Sequence, residues 1–221
     1  MPQFSGILLS GGYSRRMGRD KALLDLGGRP VIARLADELS KVAAGPVIAC
    51  GEQEREEYRF LGLTQVPDLY PGCGPLAGLH AALLQSPTEW SVVAACDLPF
   101  ASAEFMRYMM SSAAEPGRDL ILNYSGGSLQ IDAAVPESIT GRVQPLLGLY
   151  HKRVLPVLEE ALHGRRFRVM ECLDALEVLY IPEAGFTASP SEPSPLYNMN
   201  TLADYAAALK LVSTPADDSS V

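Results

Sequence analysis

The sequence predicts an α/β fold in which helices cover both faces of a mostly parallel sheet. Apolar segments of strand length alternate with longer segments of helical periodicity, which is the pattern of βαβ units. Glycine or aspartate follows the most apolar strands, as happens at the ligand-binding edge of an open sheet. The chain has 221 residues, 48% of them hydrophobic, which is enough to bury a substantial core. We therefore expect one Rossmann-like, three-layer domain over residues 1–212 and a disordered tail at 213–221.

The elements of the first half alternate regularly. They are a strand ending before Gly11, a helix at 30–42, a strand at 47–50, a charged helical segment at 52–60, a strand edge at 64–66, a helix at 75–84, a strand at 90–96 and a helix at 102–112. Pro75 suits the first turn of its helix because its missing N–H needs no partner there. Ser102 is the expected N-cap of the last of these helices.

The second half is less regular. Its predicted elements are strands at 120–123 and 129–135 joined by a turn at 125–127, a helix at 149–162 ending at Gly164, a strand at 176–181 and a helix at 202–212. The proline- and serine-rich stretch 182–196 predicts a surface loop. His80, His151 and His163 fall in helical patterns without evident partners, so we expect them to be structural or surface residues.

The composition of the sequence argues against several classes of protein. The net charge is −8, which disfavours nucleic acid as a partner because duplex binding needs an extended basic face. No apolar stretch is long enough for a membrane helix and no secretory signal is recognisable, so we expect a cytoplasmic protein that does not bind membranes. The four cysteines lack the C-x-x-C spacing of a zinc site.

A glycine pair beside clustered positive charge is the most informative motif. Gly11 and Gly12 end the first strand, and three arginines and a lysine follow at Arg15, Arg16, Arg19 and Lys21. Glycine lets backbone N–H groups approach a phosphate, and the cations neutralise it. The motif matches neither G-x-x-x-x-G-K-[ST] nor G-x-G-x-x-G. It predicts a nucleoside triphosphate site of another type, the alternative being a solvated surface loop.

Two aspartates follow predicted strands. Asp97 comes directly after the most apolar strand, where a carboxylate can bind Mg²⁺ together with phosphate oxygens. Asp68 precedes a glycine- and proline-rich loop and a helix N-terminus, where it can accept hydrogen bonds from a base or a ribose. The alternatives are a cap or turn for Asp97 and a turn for Asp68. Similarly, Asn200 either supplies an oxygen to the metal or ligand or caps the last helix.

Taken together, these motifs resemble those of the molybdenum cofactor guanylyltransferases. The matching segments are Leu9-Ser10-Gly11-Gly12, Arg16-Met17-Gly18, Lys21, Gly74-Pro75-Leu76-Ala77-Gly78, Cys96-Asp97-Leu98-Pro99, Gln144-Pro145-Leu146 with Tyr150, and Asn198-Met199-Asn200-Thr201. The first segment is shared with other nucleotidyltransferases. The G-P-L-A-G loop and the G-R-x-Q-P-L segment narrow the resemblance to the guanylyl branch.

The resemblance implies a nucleotide-diphospho-sugar transferase fold, a GTP substrate, the molybdopterin cofactor as acceptor and Mg²⁺ as the metal. It implies delivery of the product to molybdoenzymes or cofactor-carrying proteins. By residue, it implies nucleotide binding at Leu9, Ser10, Gly11, Gly12, Lys21, Asp68 and Asp97, catalysis by Arg16, Lys21 and Asp97, a metal at Asp97, and acceptor binding at Gln144, Pro145, Asn198 and Asn200. One departure is that Ala49-Cys50-Gly51 stands where the family often has an asparagine.

The residue types suit such a transfer. A phosphate monoester acceptor is already an anion and needs no general base, so the absence of a catalytic histidine arrangement is expected. The protein then has to hold the acceptor phosphate in line with the triphosphate and neutralise the charge of both. Cytidylyl transfer to the same acceptor, nucleotidyl transfer to a sugar phosphate, and a non-catalytic nucleotide-binding carrier protein are the alternatives.

Overall fold

A seven-stranded sheet forms the centre of the protein. The computed structural model describes residues 3–10, 20–114, 131–186 and 192–213. Its strands are β1 (Phe4–Leu9), β2 (Ala44–Gly51), β3 (Thr64–Pro67), β4 (Trp90–Ala95), β5 (Ala133–Glu137), β6 (Leu147–His151) and β7 (Val178–Pro182). They lie in the order β3-β2-β1-β4-β6-β5-β7. All are parallel except β6, which runs antiparallel to β4 and β5.

Helices cover both faces of this sheet. They are α1 (Val31–Ser40), α2 (Pro75–Gln85), α3 (Ala103–Ala113), α4 (Leu155–His163), α5 (Val169–Leu173) and α6 (Leu202–Ser213), with short 3₁₀ helices at Lys21–Leu23, Glu56–Leu61, Lys152–Val154 and Glu183–Gly185. None of the helices in the described ranges is both long and apolar enough to span a bilayer.

Alternate residues of the central strands build the two cores. In β1, Leu8 packs with α1 and α3 on one face, while Ile7 and Leu9 pack with α2 and α4 on the other. This follows from the two-residue repeat of a strand, whose successive side chains point to opposite faces. The wholly buried pattern of β1 and β4 is therefore that of strands covered on both sides, and the predicted three-layer α/β fold is confirmed.

Most predicted elements of the first half are confirmed. The α1 stripe of Val31, Leu35 and Leu39 is fully buried, and Pro75 lies in the first turn of α2. The Ser102 hydroxyl accepts a hydrogen bond from Phe105 N at 3.2 Å, as expected of the N-cap of α3. The segment predicted as helical over 52–60 forms only the 3₁₀ helix Glu56–Leu61.

The prediction of a helix over 149–162 is wrong at its start. Residues Leu147–His151 form strand β6, and the helix α4 begins only at Leu155. The first four residues of β6 are buried, and a short apolar segment buried on both faces reads the same for a helix as for a strand. Pro156, in the first turn of α4, was the local signal of the true helix start.

The other second-half predictions have mixed outcomes. The strand predicted at 129–135 is β5, displaced to Ala133–Glu137, and that predicted at 176–181 is β7. The last helix, α6, is confirmed. The predicted strand at 120–123 and its turn at 125–127 lie outside the described residues, as do part of the proline-rich stretch and the tail beyond 213.

Candidate active site

A cleft of about 350 Å³ opens at the carboxyl ends of β1, β2 and β4. The segment 68–74 leads from β3 to the N-terminus of α2 at this edge. The residues that line the cleft are Leu9, Ser10, Asp20, Lys21, Ala22, Ala49, Asp68, Gly74, Pro75, Gly78, Ala95, Cys96, Asp97 and Leu146. This is the edge at which open parallel sheets bind ligands.

Lys21 and Asp97 lie in the same cleft although 76 positions separate them in the chain. Lys21 begins the 3₁₀ helix Lys21–Leu23, which Asp20 caps. Its Nζ donates a hydrogen bond of 2.8 Å to Asn200 Oδ1. The loop that precedes α6 therefore fixes the position of this ammonium group.

Asp97 follows β4 and is held by the same loop. Met199 N donates to the Asp97 carbonyl at 2.8 Å. Hydrogen bonding assigns the Asn198 amide so that its nitrogen donates to Asp97 Oδ2 at 3.0 Å. The other carboxylate oxygen, Oδ1, is buried and has no hydrogen-bond partner among the described residues. Burial raises the pKa of Asp97, while Lys21 and, more weakly, Arg142 oppose this shift.

The predicted acceptor residues are connected to Asp97 through Asn198. In the assigned orientation, Asn198 Oδ1 accepts from Gln144 Nε2 at 2.8 Å and from Arg142 Nη2 at 3.2 Å. The hydroxyl of Tyr150 donates to the Pro145 carbonyl at 2.6 Å and so supports the loop before β6. The structure therefore brings the Gln144-Pro145 segment and the asparagine loop to one side of the cleft.

Asp68 occupies the β3 side of the cleft. Its N–H donates to the Gly51 carbonyl at 2.8 Å, which joins it to the end of β2. Its Oδ1 is buried and, among the described residues, lacks a hydrogen-bond partner. Burial, and secondarily the charge of Glu52, raise the pKa of Asp68 to about 6. The folded protein therefore holds a carboxylate that costs free energy when it ionises.

We expect Asp68→Asn to stabilise the folded protein at pH 7.5 by about 1–3 kcal/mol. A raised folded-state pKa means that the native state binds the proton more tightly than the unfolded state, whose value is about 3.9. The wild-type free energy of unfolding therefore falls as the pH rises from about 4 to about 6, and the variant lacks this fall. Urea unfolding at several pH values measures it.

The matched control is Asp37→Asn. Asp37 lies on the exposed face of α1, 2.6 Å from Arg29, with about half of its side chain exposed (52%). Such a pair contributes little, so we expect a change below about 1 kcal/mol across the same pH range. If Asp68→Asn were less stable than wild type at pH 7.5, the conclusion that the ionised Asp68 carboxylate destabilises the folded protein would be wrong.

The first turns of α2 form a close wall of the cleft. A Cβ added at Gly78 would lie 3.3 Å from Ala49 Cβ, 3.5 Å from Asp68 Oδ1 and 3.6 Å from Leu9 Cδ2. Because these three residues line the cleft, glycine at this position keeps the space between the helix and the strand ends open. Gly74 and Pro75, at the N-terminus of α2, line the cleft, and the N-terminal N–H groups of a helix are suited to a polar or anionic ligand.

A second cavity of about 750 Å³ adjoins the cleft and shares Asp20, Asp68 and Gly74 with it. Four glutamates, Glu52, Glu54, Glu56 and Glu57, contribute to its lining. Their negative charge disfavours a polyphosphate there and favours it at the Lys21 side. A third cavity of about 540 Å³ lies over α1 and α3 and includes neither Lys21 nor Asp97.

Some predicted site residues lie outside the described residues. These are Gly11, Gly12 and Arg16, together with the neighbouring Arg15 and Arg19, all within 11–19. Their roles stay predictions. The described residues at the two ends of that segment, Ser10 and Lys21, line the cleft.

Sequence reasoning missed Asp20, Arg55 and Tyr58. The Asp20 side chain accepts hydrogen bonds from Tyr58 Oη at 2.6 Å and from Arg55 Nη1, next to the cleft. Tyr58 lies in the 3₁₀ helix Glu56–Leu61, 38 positions from Asp20, and Arg55 directly precedes that helix, 35 positions from Asp20. The only local signal was Asp20 immediately before Lys21, where an acidic residue contrasts with its basic neighbours.

The prediction that the histidines lack partners is wrong. Tyr70 packs edge-on against His80 and His163, with ring centroids 5.3 and 5.5 Å away, and its hydroxyl lies 3.1 Å from His163 Nε2. His151 Nδ1 accepts from Arg153 N at 3.0 Å. The contact of Tyr70 with His163 joins segments 93 positions apart, which local periodicity does not reveal. None of the three histidines lines the cleft.

The carboxylate oxygens in the cleft are suited to bind a magnesium ion. Mg²⁺ prefers one or two carboxylates, with phosphate oxygens and water completing its shell. Asp97 Oδ1 and Asp68 Oδ1 are buried oxygens without a described hydrogen-bond partner, and both residues line the cleft. Among the described residues there is no cluster of three or more acidic, histidine or cysteine ligands, so an all-protein cage is not formed there.

Comparison with known proteins agrees with this geometry. Residues 6–176 match the MobA-like NTP transferase domain. The chain is 36% identical over 204 residues to a probable molybdenum cofactor guanylyltransferase of Pelotomaculum thermopropionicum, covering 92% of this chain and 91% of that protein. It is 32% identical to a protein with the same description from Carboxydothermus hydrogenoformans, covering 96% and 98% of the two chains.

Solved structures show the same fold. The molybdopterin-guanine dinucleotide biosynthesis protein A of Archaeoglobus fulgidus superposes with a TM-score of 0.76 at 26% identity, covering 95% of this chain and 99% of that one. The 2-C-methyl-D-erythritol 4-phosphate cytidylyltransferase of Thermus thermophilus, at 15% identity and a TM-score of 0.61, covers 94% and 98% and shares the fold. The chain therefore belongs to the MobA-like NTP transferase family and, within it, to the molybdenum cofactor guanylyltransferases.

Proposed function

We propose that this enzyme transfers GMP from GTP to the molybdopterin cofactor, releasing pyrophosphate and forming the guanine dinucleotide form of the cofactor. The observation that carries this proposal is the convergence of Lys21 and Asp97 in one cleft at the strand ends. The relatives named for this activity cover nearly the whole chain and support the choice of donor and acceptor.

The reaction joins two anions without a general base. An oxygen of the acceptor phosphate attacks the α-phosphorus of GTP, a P–O bond forms there, and the bond to the β-phosphate oxygen breaks. Pyrophosphate leaves with the electron pair. Because the attacking phosphate is already ionised, the cleft needs no histidine, and none of the three lines it. The protein must position the reactants in line and neutralise their charge.

Lys21 supplies the positive charge on the donor side. Its Nζ is held by Asn200 Oδ1, so the ammonium is already oriented before the nucleotide binds. Arg16 is proposed to act on the same phosphates. Leu9, Ser10, Gly11 and Gly12 are proposed to contact the nucleotide through their backbone, and Asp68 through its carboxylate. Such preorganised charge stabilises the transition state without reorganisation at the moment of reaction.

Asp97 is proposed to hold Mg²⁺ through its buried Oδ1, and Asp68 lies in the same cleft. The bound ion would neutralise phosphate charge and orient the triphosphate. Asn198 donates to the other oxygen of Asp97 and so fixes the direction of the carboxylate. Deprotonation of Asp97, which burial opposes, is favoured by Lys21 nearby.

The acceptor is proposed to bind on the side of Gln144, Pro145, Asn198 and Asn200. Gln144 is buried, with 7% of its surface exposed, and its amide bonds to Asn198. Arg142 brings a guanidinium to the same place, 3.2 Å from Asn198 Oδ1. A polar wall with one cation suits the phosphate of molybdopterin. Onward delivery of the product to molybdoenzymes or carrier proteins remains a prediction.

The direct test is pyrophosphate release from GTP and CTP in parallel, with Mg²⁺ and with or without molybdopterin. We expect release only with GTP and acceptor together. Release from CTP instead would indicate a cytidylyltransferase for the same cofactor. Tight GTP binding without release in the presence of acceptor would indicate a carrier protein, and release with a sugar phosphate would indicate another acceptor. Removal of Mg²⁺ by a chelator is expected to stop the reaction.

A further inference from the structure

A largely buried group of four side chains lies next to the start of the 3₁₀ helix that carries Lys21, and we call it the Asp20 network: Ser10, Asp20, Arg55 and Tyr58. Asp20 accepts hydrogen bonds from the Tyr58 hydroxyl at 2.6 Å and from Arg55 Nη1. The Ser10 hydroxyl donates to Tyr58 Oη at 2.7 Å. Arg55 Nη1 also donates to Tyr58 Oη at 2.9 Å, and its guanidinium lies 5.3 Å from the centre of the Tyr58 ring.

The network is more buried than an ordinary surface ion pair. The side chains of Arg55 and Asp20 are each only 15% exposed, and Tyr58 is fully buried. Burial is the main cause that raises the pKa of Tyr58 well above its usual range, so its hydroxyl stays protonated and available as a donor. Charged hydrogen bonds in such surroundings are strong and weakly screened by salt.

The network determines where Lys21 lies. Asp20 Oδ1 accepts from Ala22 N at 3.0 Å and thereby caps the 3₁₀ helix that Lys21 begins. Its second oxygen is the one held by Tyr58 and Arg55. One carboxylate therefore joins the backbone that carries Lys21 to the 3₁₀ helix Glu56–Leu61.

The network also explains how the negatively charged Asp20 can lie beside the proposed polyphosphate. Asp20 lines the cleft next to Lys21, in the place proposed for a polyphosphate. A bare carboxylate there would repel the ligand, whereas its pairing with Arg55 cancels the charge. The cap needs a side-chain oxygen at this position, and because that oxygen belongs to a carboxylate, a cation is needed to make it compatible with the ligand.

We propose that Arg55 and Tyr58 are positioning residues for the transfer: they hold Asp20, neutralise it beside the polyphosphate, and so fix Lys21 for the reaction. The inference rests on the proposed function, and it adds two residues that need not touch any substrate. It distinguishes Arg55, whose role is charge compensation, from Tyr58, whose role is a neutral hydrogen bond.

The test compares Arg55→Met with the double variant Asp20→Asn, Arg55→Met. The first leaves an unpaired carboxylate beside the phosphates, so we expect GTP binding to weaken about tenfold. The second removes that carboxylate as well: the asparagine oxygen still accepts from Ala22 N, and its amide nitrogen, in the place of the other oxygen, can donate to Tyr58 Oη. Binding is then expected to return to within about threefold of wild type. Equilibrium binding of GTP with Mg²⁺, measured without the acceptor, gives both values.

Two further variants separate positioning from general destabilisation. Arg59→Met removes the same charge from the 3₁₀ helix that Arg55 precedes, but Arg59 is 67% exposed and pairs with Glu56 on the outside, so we expect no change in GTP binding. Tyr58→Phe keeps the buried ring and removes one hydroxyl. We expect it to lower kcat several-fold while changing GTP binding less than Arg55→Met does, because no charge is exposed.

Salt dependence adds a readout that a structural defect would not change. The loss of GTP affinity in Arg55→Met is expected to shrink relative to wild type at about 0.5 M salt, because salt ions enter the cleft that Asp20 lines and screen its carboxylate from the phosphates, even though the hydrogen bonds behind it are screened less. A double variant that binds as weakly as Arg55→Met, or an Arg59→Met variant with the same loss, would overturn the proposal. Thermal unfolding of every variant identifies any that fail to fold.

Failure of the proposed function gives a different result. A wild-type protein that binds GTP but releases no pyrophosphate with molybdopterin would contradict the guanylyl transfer, while the GTP affinities of wild type and the variants would still decide whether Arg55 compensates Asp20. A wild-type protein that does not bind GTP would contradict both.

Discussion

Replacing Asp97 by asparagine is expected to reduce acceptor-dependent pyrophosphate release by about 10³-fold, or about 4 kcal/mol in activation free energy. The amide oxygen is uncharged and is a poorer ligand for Mg²⁺ than the buried carboxylate oxygen Oδ1. The shape of the side chain is kept, and if the asparagine oxygen accepts from Asn198, its amide nitrogen takes the place of Oδ1, where it cannot bind a metal ion. Steady-state rates across a range of Mg²⁺ concentrations measure the loss.

Although Asp97→Asn is expected to lose activity, its folded state is expected to be at least as stable as that of wild type. Burial raises the pKa of Asp97, so above the unfolded value of about 3.9 the folded protein loses stability as the carboxylate ionises. Asp97→Asn lacks this ionisation and should unfold at an equal or higher temperature at pH 8, with the difference disappearing as the pH falls towards 4. If Asp97→Asn were inactive and had a lower melting temperature than wild type at pH 8, its loss of activity would be due to impaired folding. If Asp97→Asn were active, the assignment of Mg²⁺ to Asp97 would be contradicted.

Replacing Lys21 by methionine is expected to lower kcat/KM for GTP by about 10²-fold. The methionine keeps most of the aliphatic stem and removes the ammonium that Asn200 holds in the cleft. The Asp97 pKa should also rise further, because Lys21 is the first of the causes that lower it. Initial rates as a function of GTP concentration separate the effects on kcat and KM.

Asn200→Ala tests whether Asn200 acts through Lys21. Its amide oxygen is 2.8 Å from Lys21 Nζ, so we expect a measurable loss in the wild-type background and almost none in the Lys21→Met background. Lys41→Met is the matched control, since Lys41 pairs with Glu38 on an exposed face and its loss should leave kcat/KM unchanged. Additive losses for Lys21 and Asn200 would show that the asparagine acts independently.

The sequence predicted the elements whose signals are local. The stripe of α1, the N-terminal proline of α2 and the Ser102 cap of α3 each depend on residues within one or two turns. Strands β1 and β4 were predictable because continuous apolar segments of their length are typical of a sheet covered on both faces. Lys21, Asp68 and Asp97 were predictable as cleft residues because the carboxyl ends of parallel strands meet at one edge.

Strand β6 could not be predicted in this way. Its four buried residues are apolar, and a short buried apolar segment fits a helix as well as a strand. The polar residues 151–153 that follow fit an exposed helical turn equally well, which leaves Pro156 as the local sign that α4 begins later. What makes it a strand is the space between β4 and β5, where a Cβ at Gly148 would come within 2.9 Å of the Ala134 carbonyl. That close approach exists only once the neighbouring strands are in place.

By itself the sequence determined the α/β architecture and the family, because both depend on short segments whose residue types have few other uses, and it predicted the chemistry of the cleft. Only the tertiary structure decided which partners hold those residues: Asn200 for Lys21, Asn198 for Asp97, and Arg55 with Tyr58 for Asp20. The reason is physical. Hydrogen bonds and charge pairs depend on distances of about 3 Å, and residues separated by 35 to 179 positions reach them only through the packing of the whole sheet.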